Sequence, residues 1–219
     1  MRVLVLAATP LEADLLTQAD ATVIVTGIGA VNTAHALTRA LLSGDRPTLV
    51  IQTGIAGAYV PAGVPVGAVL LADEDMYGDV GVITPGGWYP ADEIGIPLVP
   101  ASAAHPARFN RFPLCADLVR RAAAIGGPAL TSTGRFLTLA QVTGVRALGD
   151  ALHARFGALC ESMEGAAGAQ VCAAYDVPFL EVRGVSNLVV DRDRAAWRIR
   201  EAAEAAQHVV LRLVDRLQV

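Results

Sequence analysis

The sequence contains no lysine, and all 17 of its basic residues are arginine. Schiff-base chemistry and a phosphate-binding loop of the Walker type both require a lysine amine, so the composition excludes these enzyme classes. The formal net charge is −4, and the sequence has no run of basic residues. Binding to a nucleic-acid polymer is therefore not expected, and any partner of related chemistry is a small molecule.

Cysteine is scarce: the three cysteines show neither Cys-x-x-Cys nor a Cys/His ligand spacing. We therefore expect buried free thiols and no metal site. The most apolar stretch, from Thr48 to Ala72, contains Gln52, two prolines and several glycines, which argues against a membrane-spanning helix. The N-terminal apolar run stops at Ala8 and acidic residues follow, unlike a secretion signal, so we predict a cytoplasmic protein without membrane contact.

Hydrophobic residues make up 53% of the 219 residues, enough to bury one core, so we expect residues 1–219 to form a single domain. The predicted strands are the apolar runs Val3 to Ala8, Thr22 to Thr26, Thr48 to Thr53, Ala68 to Ala72, Ala129 to Thr131 and Phe179 to Val182. The predicted helices are Leu11 to Gln18, Val31 to Leu42, Ala116 to Ala124, Val142 to Phe156, Met163 to Ala174 and Arg194 to Leu217. This alternation predicts an α/β fold with a twisted mixed, largely parallel central sheet flanked by helices.

Ligands bind at the carboxyl ends of strands in such a sheet. Glu12 follows the first predicted strand, and Ser186 and Asn187 follow the last. Glu164 lies among small and apolar neighbours at a predicted helix start, where a carboxylate is costly unless a polar group meets it. A carboxylate in such a place can face a ligand, cap a helix or pair with an arginine, and its surroundings alone leave these readings open.

A competing motif is Gly27-x-Gly29-x-x-Asn32, which resembles a dinucleotide-binding turn between a strand and a helix. Its last glycine is replaced, and the strand ending in Thr53 lacks the acid that would hold a ribose. A tight turn that lets the helix pack on the sheet is the favoured interpretation.

Five segments resemble the nucleoside phosphorylase and nucleosidase family in their order and spacing. They are Ala8-Thr-Pro-Leu-Glu12, Thr26-Gly-Ile-Gly29, Gln52-Thr-Gly-Ile-Ala-Gly57, Ser162-Met-Glu-Gly165 and Arg183-Gly-Val-Ser-Asn187. The chain is similar in particular to the methylthioadenosine/adenosylhomocysteine nucleosidase branch, and most of all to the futalosine hydrolase branch. The resemblance implies an N-ribosyl hydrolase without cofactor or metal, which releases hypoxanthine from futalosine in menaquinone biosynthesis.

The same resemblance implies catalytic roles for three residues. Glu12 would activate water, Glu164 would hold the ribose hydroxyls, and Asn187 would recognise the base. Relatives that release adenine have an aspartate at the position of Asn187, whereas an amide suits the carbonyl and protonated N7 of a 6-oxopurine. Substrate-binding roles are implied for Ile55, Ala56, Gly57, Phe136, Leu137, Met163, Ser186 and Trp197.

Within that binding set, Phe136 would stack on the purine, and Leu137 would offer backbone groups to its edge. Met163 would pack under the ribose, and Trp197 would border the 5′ substituent. Arg192 or Arg194 would then meet the carboxylate of that substituent.

Three other functions stay open at this point. A purine nucleoside phosphorylase for 6-oxopurines would also use Asn187, but Glu12 would repel its phosphate. A methylthioadenosine/adenosylhomocysteine nucleosidase and a non-catalytic nucleoside-binding protein are the others. Family members are commonly oligomers, so a homo-oligomer is expected, with the Gly- and Pro-rich stretch Met76 to Phe112 forming long loops that reach a neighbouring site.

Overall fold

The computed structural model describes residues 2–44, 46–102 and 106–217, and within them it has ten strands and five α-helices. The strands are β1 (Val3–Ala7), β2 (Thr22–Val25), β3 (Leu49–Tyr59), β4 (Val69–Tyr77), β5 (Gly81–Thr84), β6 (Gly87–Pro90), β7 (Arg111–Pro113), β8 (Ser132–Thr138), β9 (Cys160–Ser162) and β10 (Phe179–Val189). The helices are α1 (Ala30–Leu42), α2 (Ala116–Gly126), α3 (Arg146–Phe156), α4 (Gly165–Ala174) and α5 (Ile199–Arg216).

Most neighbouring strands in the central sheet run parallel, whereas β10 with β4, β3 with β9 and β4 with β7 are antiparallel. The first half of β3 pairs with β1 and its end pairs with β9, while β10 runs along its other edge. Because β10 also pairs with β4, the strands β3, β10, β4, β8 and β9 close into a ring, from which β1 and β2 extend. The predicted α/β fold with a mixed, largely parallel sheet is confirmed.

Helices cover both faces of this sheet. Apolar residues of β1, β3 and β10 pack with α2 and α5 in one core cluster, which includes Leu180 and Val210. A second cluster on the other face joins α1 and α4 to the sheet and includes Leu37 and Ala167. No helix in the described ranges is long and apolar enough to cross a membrane.

Three strands are longer than the sequence predicts. The predictions stop at Thr53, Ala72 and Val182, whereas β3, β4 and β10 continue to Tyr59, Tyr77 and Val189. The added residues include glycines and acids that are typical of loops, but neighbouring strands pair with their backbones: β10 and β9 with β3, β8 and β7 with β4, and β3 with β10. Several site residues expected to follow strands therefore lie within them.

Other boundaries also differ from the predictions. Pro10–Glu12 and Asp14–Gln18 are 3₁₀ helices instead of one α-helix, and the strand expected at Ala129 begins at Ser132, because Pro128 lies in the 3₁₀ helix Gly127–Ala129. The starts of α3 and α5 are later than predicted.

The Gly- and Pro-rich stretch that begins at Met76 is not loop alone, because it contains the β5–β6 hairpin; its residues 103–105 lie outside the described residues. Cys160 and Cys172 are buried and free as predicted. Cys115 is exposed, because it precedes α2 at the surface.

Candidate active site

A cavity of about 520 Å³ lies beside the C-terminal halves of β3 and β10 and the start of α4. Its wall includes the predicted residues Ile55, Ala56, Gly57, Met163, Ser186 and Trp197. Glu12, Glu164 and Asn187 also line it, so the structure brings all three predicted catalytic residues to one cavity. Apart from these three residues, most residues that line the cavity are apolar, which strengthens any charge interaction inside it.

The carboxylate of Glu12 is buried and fixed by three donors. Its Oε2 accepts hydrogen bonds from the Thr9 amide at 2.9 Å and the Thr9 hydroxyl at 2.8 Å, and its Oε1 accepts from the Ile55 amide at 2.9 Å. A carboxylate has about four acceptor sites, so one remains for a water or a ligand hydroxyl. This remaining site suits a group that takes a proton from water.

Glu164 occupies the N-cap position of α4 and is 4% exposed. Its Oε1 accepts a hydrogen bond from the Gly29 amide at 2.9 Å, and its Oε2 pairs with Nη1 of Arg183 at 3.2 Å. Gly29 has φ +97°, a conformation that favours glycine, so the Gly27-x-Gly29 turn presents an amide to Glu164. About two acceptor sites of the carboxylate remain, which is the number that a ribose diol needs.

Arg183, to which the sequence assigned no role, joins the two sides of the site. Its guanidinium is 1% exposed, with Nε bonded to Glu181 at 2.8 Å and Nη1 bonded to Glu164. Burial lowers the pKa of Arg183, but the charges of Glu181, Glu164 and Glu12 outweigh this effect and hold it above its ordinary value. A Cβ on Gly54 would lie 2.5 Å from Glu12 Oε1 and 2.8 Å from Arg183 Nη1, so this close approach requires glycine.

Another buried acid, Asp75, lies next to Glu181, behind Arg183. Asp75 Oδ1 accepts from the Thr138 hydroxyl at 3.0 Å, whereas Asp75 Oδ2 and Glu181 Oε2 have no partner other than each other within the described residues. Both oxygens converge on Gly165, where a Cβ would overlap them. Burial raises the pKa of Asp75 well above its ordinary value, and Glu181 raises it further. One proton held between the two carboxyl groups satisfies both oxygens.

The amide of Asn187 is oriented by its neighbours on β10. Its Oδ1 accepts from the Ser186 hydroxyl at 2.7 Å, and its Nδ2 donates to the Leu188 carbonyl at 3.1 Å. One N–H and one acceptor site of the amide remain for a ligand. Asn187 lies beside Gly57 of β3, and a Cβ on Gly57 would be 3.2 Å from Asn187 Nδ2.

The far end of the cavity contains an aromatic side chain and an arginine. Trp197 and Arg192 both line it, and the guanidinium carbon of Arg192 is 5.1 Å from the centre of the Trp197 ring. Of the two arginines considered from sequence, the structure brings only Arg192 to the cavity wall. Ile28 and Val142, 57% and 41% exposed, also line the cavity.

Two predicted binding residues do not line the cavity. The side chains of Phe136 and Leu137 are fully buried in separate core clusters. Their strand, β8, pairs with β4 on one edge and β9 on the other, so the Leu137 backbone takes part in the sheet. The structure therefore places neither residue at the cavity wall, and the stacking by Phe136 and the backbone contacts by Leu137 stay predictions.

Val142, Thr143 and Glu161 line the cavity, although the sequence reasoning did not select them. Val142 and Thr143 lie in the segment before α3, and the predicted helix Val142 to Phe156 includes this segment. Glu161 directly precedes one motif segment and Arg183 begins another, and a charged residue beside apolar neighbours was the signal that could have identified them.

Comparison with known proteins identifies relatives along nearly the whole chain. The profile of the Phosphorylase superfamily matches residues 6–217. The futalosine hydrolase of Streptomyces coelicolor is 39% identical over 190 residues, which are 86% of this chain and 74% of that protein. The futalosine hydrolase of Thermus thermophilus is 37% identical over 192 residues, covering 86% of this chain and 79% of the relative.

Nucleosidases of a second kind are also similar. The 5′-methylthioadenosine/S-adenosylhomocysteine nucleosidase of Geobacillus kaustophilus is 30% identical over 209 residues, covering 90% of this chain and 80% of the relative. The crystal structure of the S-adenosylhomocysteine nucleosidase of Streptococcus pyogenes superposes with a TM-score of 0.82 and covers 100% of this chain and 98% of that one. Its sequence identity is 22%, so this likeness shows the shared fold.

The buried carboxyl groups of Asp75 and Glu181 predict a pH dependence of stability. The folded protein raises the pKa of Asp75, so the unfolded chain gives up this proton at a lower pH than the folded protein does. The resulting stabilisation is complete below about pH 4 and is lost as pH rises toward the raised pKa, by up to about 1.4 kcal/mol per pH unit. Asp75→Asn keeps a donor toward Glu181 and an acceptor for Thr138, but it does not titrate. The unfolding free energy of the variant should therefore increase relative to that of the wild type as pH rises from 4 to 8.

Urea unfolding of both proteins across this pH range measures the difference. Asp215→Asn is the matched control, because the Asp215 side chain is 77% exposed, and its difference from the wild type should stay flat. A difference for Asp75→Asn that does not change with pH would show that Asp75 is ionised in the folded protein.

Proposed function

The chain belongs to the phosphorylase superfamily and is an N-glycosyl hydrolase of nucleoside-type substrates, and from this premise we propose that its substrate is futalosine. The reaction releases hypoxanthine and dehypoxanthine futalosine, a step of menaquinone biosynthesis by the futalosine route. The observation that carries this proposal is the Asn187 amide, which lines the same cavity as Glu12 and Glu164.

Cleavage of an N-ribosidic bond passes through a ribose with oxocarbenium character, so the site must stabilise positive charge on the sugar. The buried carboxylate of Glu164 supports this role, because its hydrogen bonds to ribose hydroxyls strengthen as the sugar becomes cationic. Glu12 takes the proton of the attacking water, since Thr9 and Ile55 fix its carboxylate and leave one acceptor site. Met163 provides an apolar surface under the ribose.

The base is recognised by Asn187. Its remaining N–H donates to O6 of hypoxanthine, and its remaining acceptor site accepts a hydrogen bond from N7–H of the departing base after water has protonated N7. Ser186 holds the amide oxygen and thereby sets which end of the amide faces each atom. Ile55 and Ala56 bring the backbone of β3 against the substrate, and Gly57 leaves room for the base.

The 5′ substituent of futalosine carries a carboxyphenyl group, and Trp197 and Arg192 fit this group. The indole ring of Trp197 stacks on the phenyl ring, while Arg192 lies close enough to pair with the carboxylate. The cavity volume of about 520 Å³ falls within the range of sites that hold ligands of this size.

The two alternative enzyme activities fit the cavity less well. A phosphorylase would place phosphate where Glu12 lies, and two negative charges would repel each other. A methylthioadenosine nucleosidase needs an acid that protonates the adenine, and the neutral Asn187 cannot supply a proton at N7. A purely binding function would not require the fixed carboxylate of Glu12.

Three broader predictions remain proposals. A homo-oligomer is supported by Ile28 and Val142, whose exposed apolar side chains border the cavity and suit a neighbouring subunit. We also retain the assignment of residues 1–219 to one nucleosidase domain and the cytoplasmic location.

Hypoxanthine release from futalosine in phosphate-free buffer tests the proposal, with inosine and methylthioadenosine assayed alongside. We expect release from futalosine alone. Glu12→Gln should lower kcat by about 100-fold or more, because the amide cannot accept the proton of water. Asp14→Asn in the neighbouring 3₁₀ helix is the control, since the Asp14 side chain is 51% exposed and outside the cavity wall.

Release from inosine only after phosphate is added would instead identify a phosphorylase and remove the role of Glu12. Adenine release from methylthioadenosine at a rate above that from futalosine would assign the chain to the other nucleosidase activity. Thermal unfolding of Glu12→Gln is measured alongside the kinetics to show that the variant is folded. Wild-type activity in this folded variant would contradict the role of Glu12 as the base.

Asn187→Asp should shift preference toward 6-aminopurine nucleosides. A carboxyl group can protonate N7 and accept from an exocyclic amine, but it leaves O6 without a donor once ionised. We expect adenine release from methylthioadenosine to become measurable and futalosine cleavage to fall by about tenfold or more. Gln18→Glu at the exposed end of the 3₁₀ helix Asp14–Gln18 makes the same amide-to-acid change away from the cavity wall and serves as the control. If futalosine cleavage is unaffected and adenine release stays undetectable, the role given to Asn187 is wrong.

A further inference from the structure

Glu161 is a buried carboxylate on the cavity wall that the proposed hydrolysis does not use. It is 3% exposed, its Oε2 accepts from the Tyr59 hydroxyl at 2.9 Å, and its Oε1 accepts from the Thr143 amide at 2.6 Å. Burial raises the pKa of Glu161, while these two donors act in the opposite direction. About two acceptor sites remain, and the cavity is where a donor could reach them.

The strand register places Glu161 across the cavity from Asn187. Glu161 on β9 lies opposite Gly57 on β3, and Asn187 on β10 lies beside the same glycine. The side chains of residues that lie opposite each other in adjacent strands point to the same face of a sheet. Glu161 and Asn187 therefore point to one face, and no side chain lies between them because residue 57 is glycine. Two strand spacings separate their backbones by about 10 Å. A flat base over Gly57 can therefore meet one of these side chains at each edge.

The two kinds of purine differ at the edge that adjoins the 6-substituent. A 6-oxopurine carries a hydrogen on N1, whereas a 6-aminopurine has a lone pair there. A carboxylate is an acceptor only, so it bonds to the first and opposes the second. Ser186 holds the Asn187 amide in one orientation, but its hydroxyl could also accept from the NH2 group of a rotated amide that serves the second pattern. Asn187 alone therefore gives a weaker distinction than the two residues together.

We infer that Glu161 is a second specificity-determining residue, which accepts a hydrogen bond from N1–H of the 6-oxopurine base. This inference rests on the proposed function, because it assumes that a 6-oxopurine occupies the space over Gly57. Tyr59 and Thr143 position the carboxylate for this contact. The contact exists before bond cleavage as well as after it, so Glu161 governs base affinity more than the rate of the chemical step.

The affinities of hypoxanthine and adenine, measured by calorimetry, test the inference without requiring turnover. The wild type should bind hypoxanthine more tightly than adenine. Glu161→Gln should lower this preference by about tenfold or more, because a hydrogen bond to a charged group is lost for hypoxanthine while the new amide can donate to N1 of adenine. Glu204→Gln on α5 is the matched control: it makes the same change at a side chain that is 42% exposed and outside the cavity wall, so the preference should remain.

An unchanged preference in Glu161→Gln, or an equal loss of affinity for both bases, would overturn the inference. A second measurement needs no variant: in the wild-type complex, the N1–H proton of hypoxanthine carrying ¹⁵N at position 1 should shift downfield and be protected from exchange. A signal that exchanges as in free solution would also contradict the contact. Tighter wild-type binding of adenine than of hypoxanthine would instead reject the proposed leaving group, so the two failures are distinguishable.

Discussion

The buried guanidinium of Arg183 is the interaction on which the site depends. It neutralises Glu181 behind it and Glu164 in front of it, and it lies close to Glu12. Several carboxylates in one apolar region would otherwise repel each other, and removing one member of a buried ion pair commonly costs about 3–5 kcal/mol. Arg183 therefore offsets this repulsion around the two proposed catalytic acids, whose hydrogen bonds hold them at fixed positions. Burial and Glu181 raise the pKa of Asp75, which favours its neutral form and so reduces the negative charge that the single guanidinium must balance.

The ring formed by the central sheet explains how distant parts of the chain meet. Long strands β3 and β10 run side by side past the point where the other parallel strands end, and their final residues form the cavity wall. Glycine is required where the walls approach most closely: Gly54 admits Glu12 and Arg183, and Gly57 leaves the space beside Asn187. The extended segments before α3 and α5 complete the cavity with Thr143 and Trp197.

Sequence reasoning located the parts of the site that depend on motifs and on the order of elements. Glu12, Glu164 and Asn187 reach one cavity because each adjoins an element whose type was predicted correctly. Phe136 and Leu137 lie in core clusters away from the cavity wall, because their strand pairs on both edges, which the sequence pattern does not reveal. Arg183 and Glu161 act through contacts across the sheet, and those contacts depend on register and ring closure, which local patterns do not encode.

A crystal structure with hypoxanthine bound tests the central claim most directly, because it shows which atoms of the base each wall meets. We predict that the base lies over Gly57, with O6 and N7 at the Asn187 amide and N1 at the Glu161 carboxylate. N9 then points into the space between Glu12 and Glu164. A base bound elsewhere, or bound here with its O6 edge turned away from Asn187, would contradict the account.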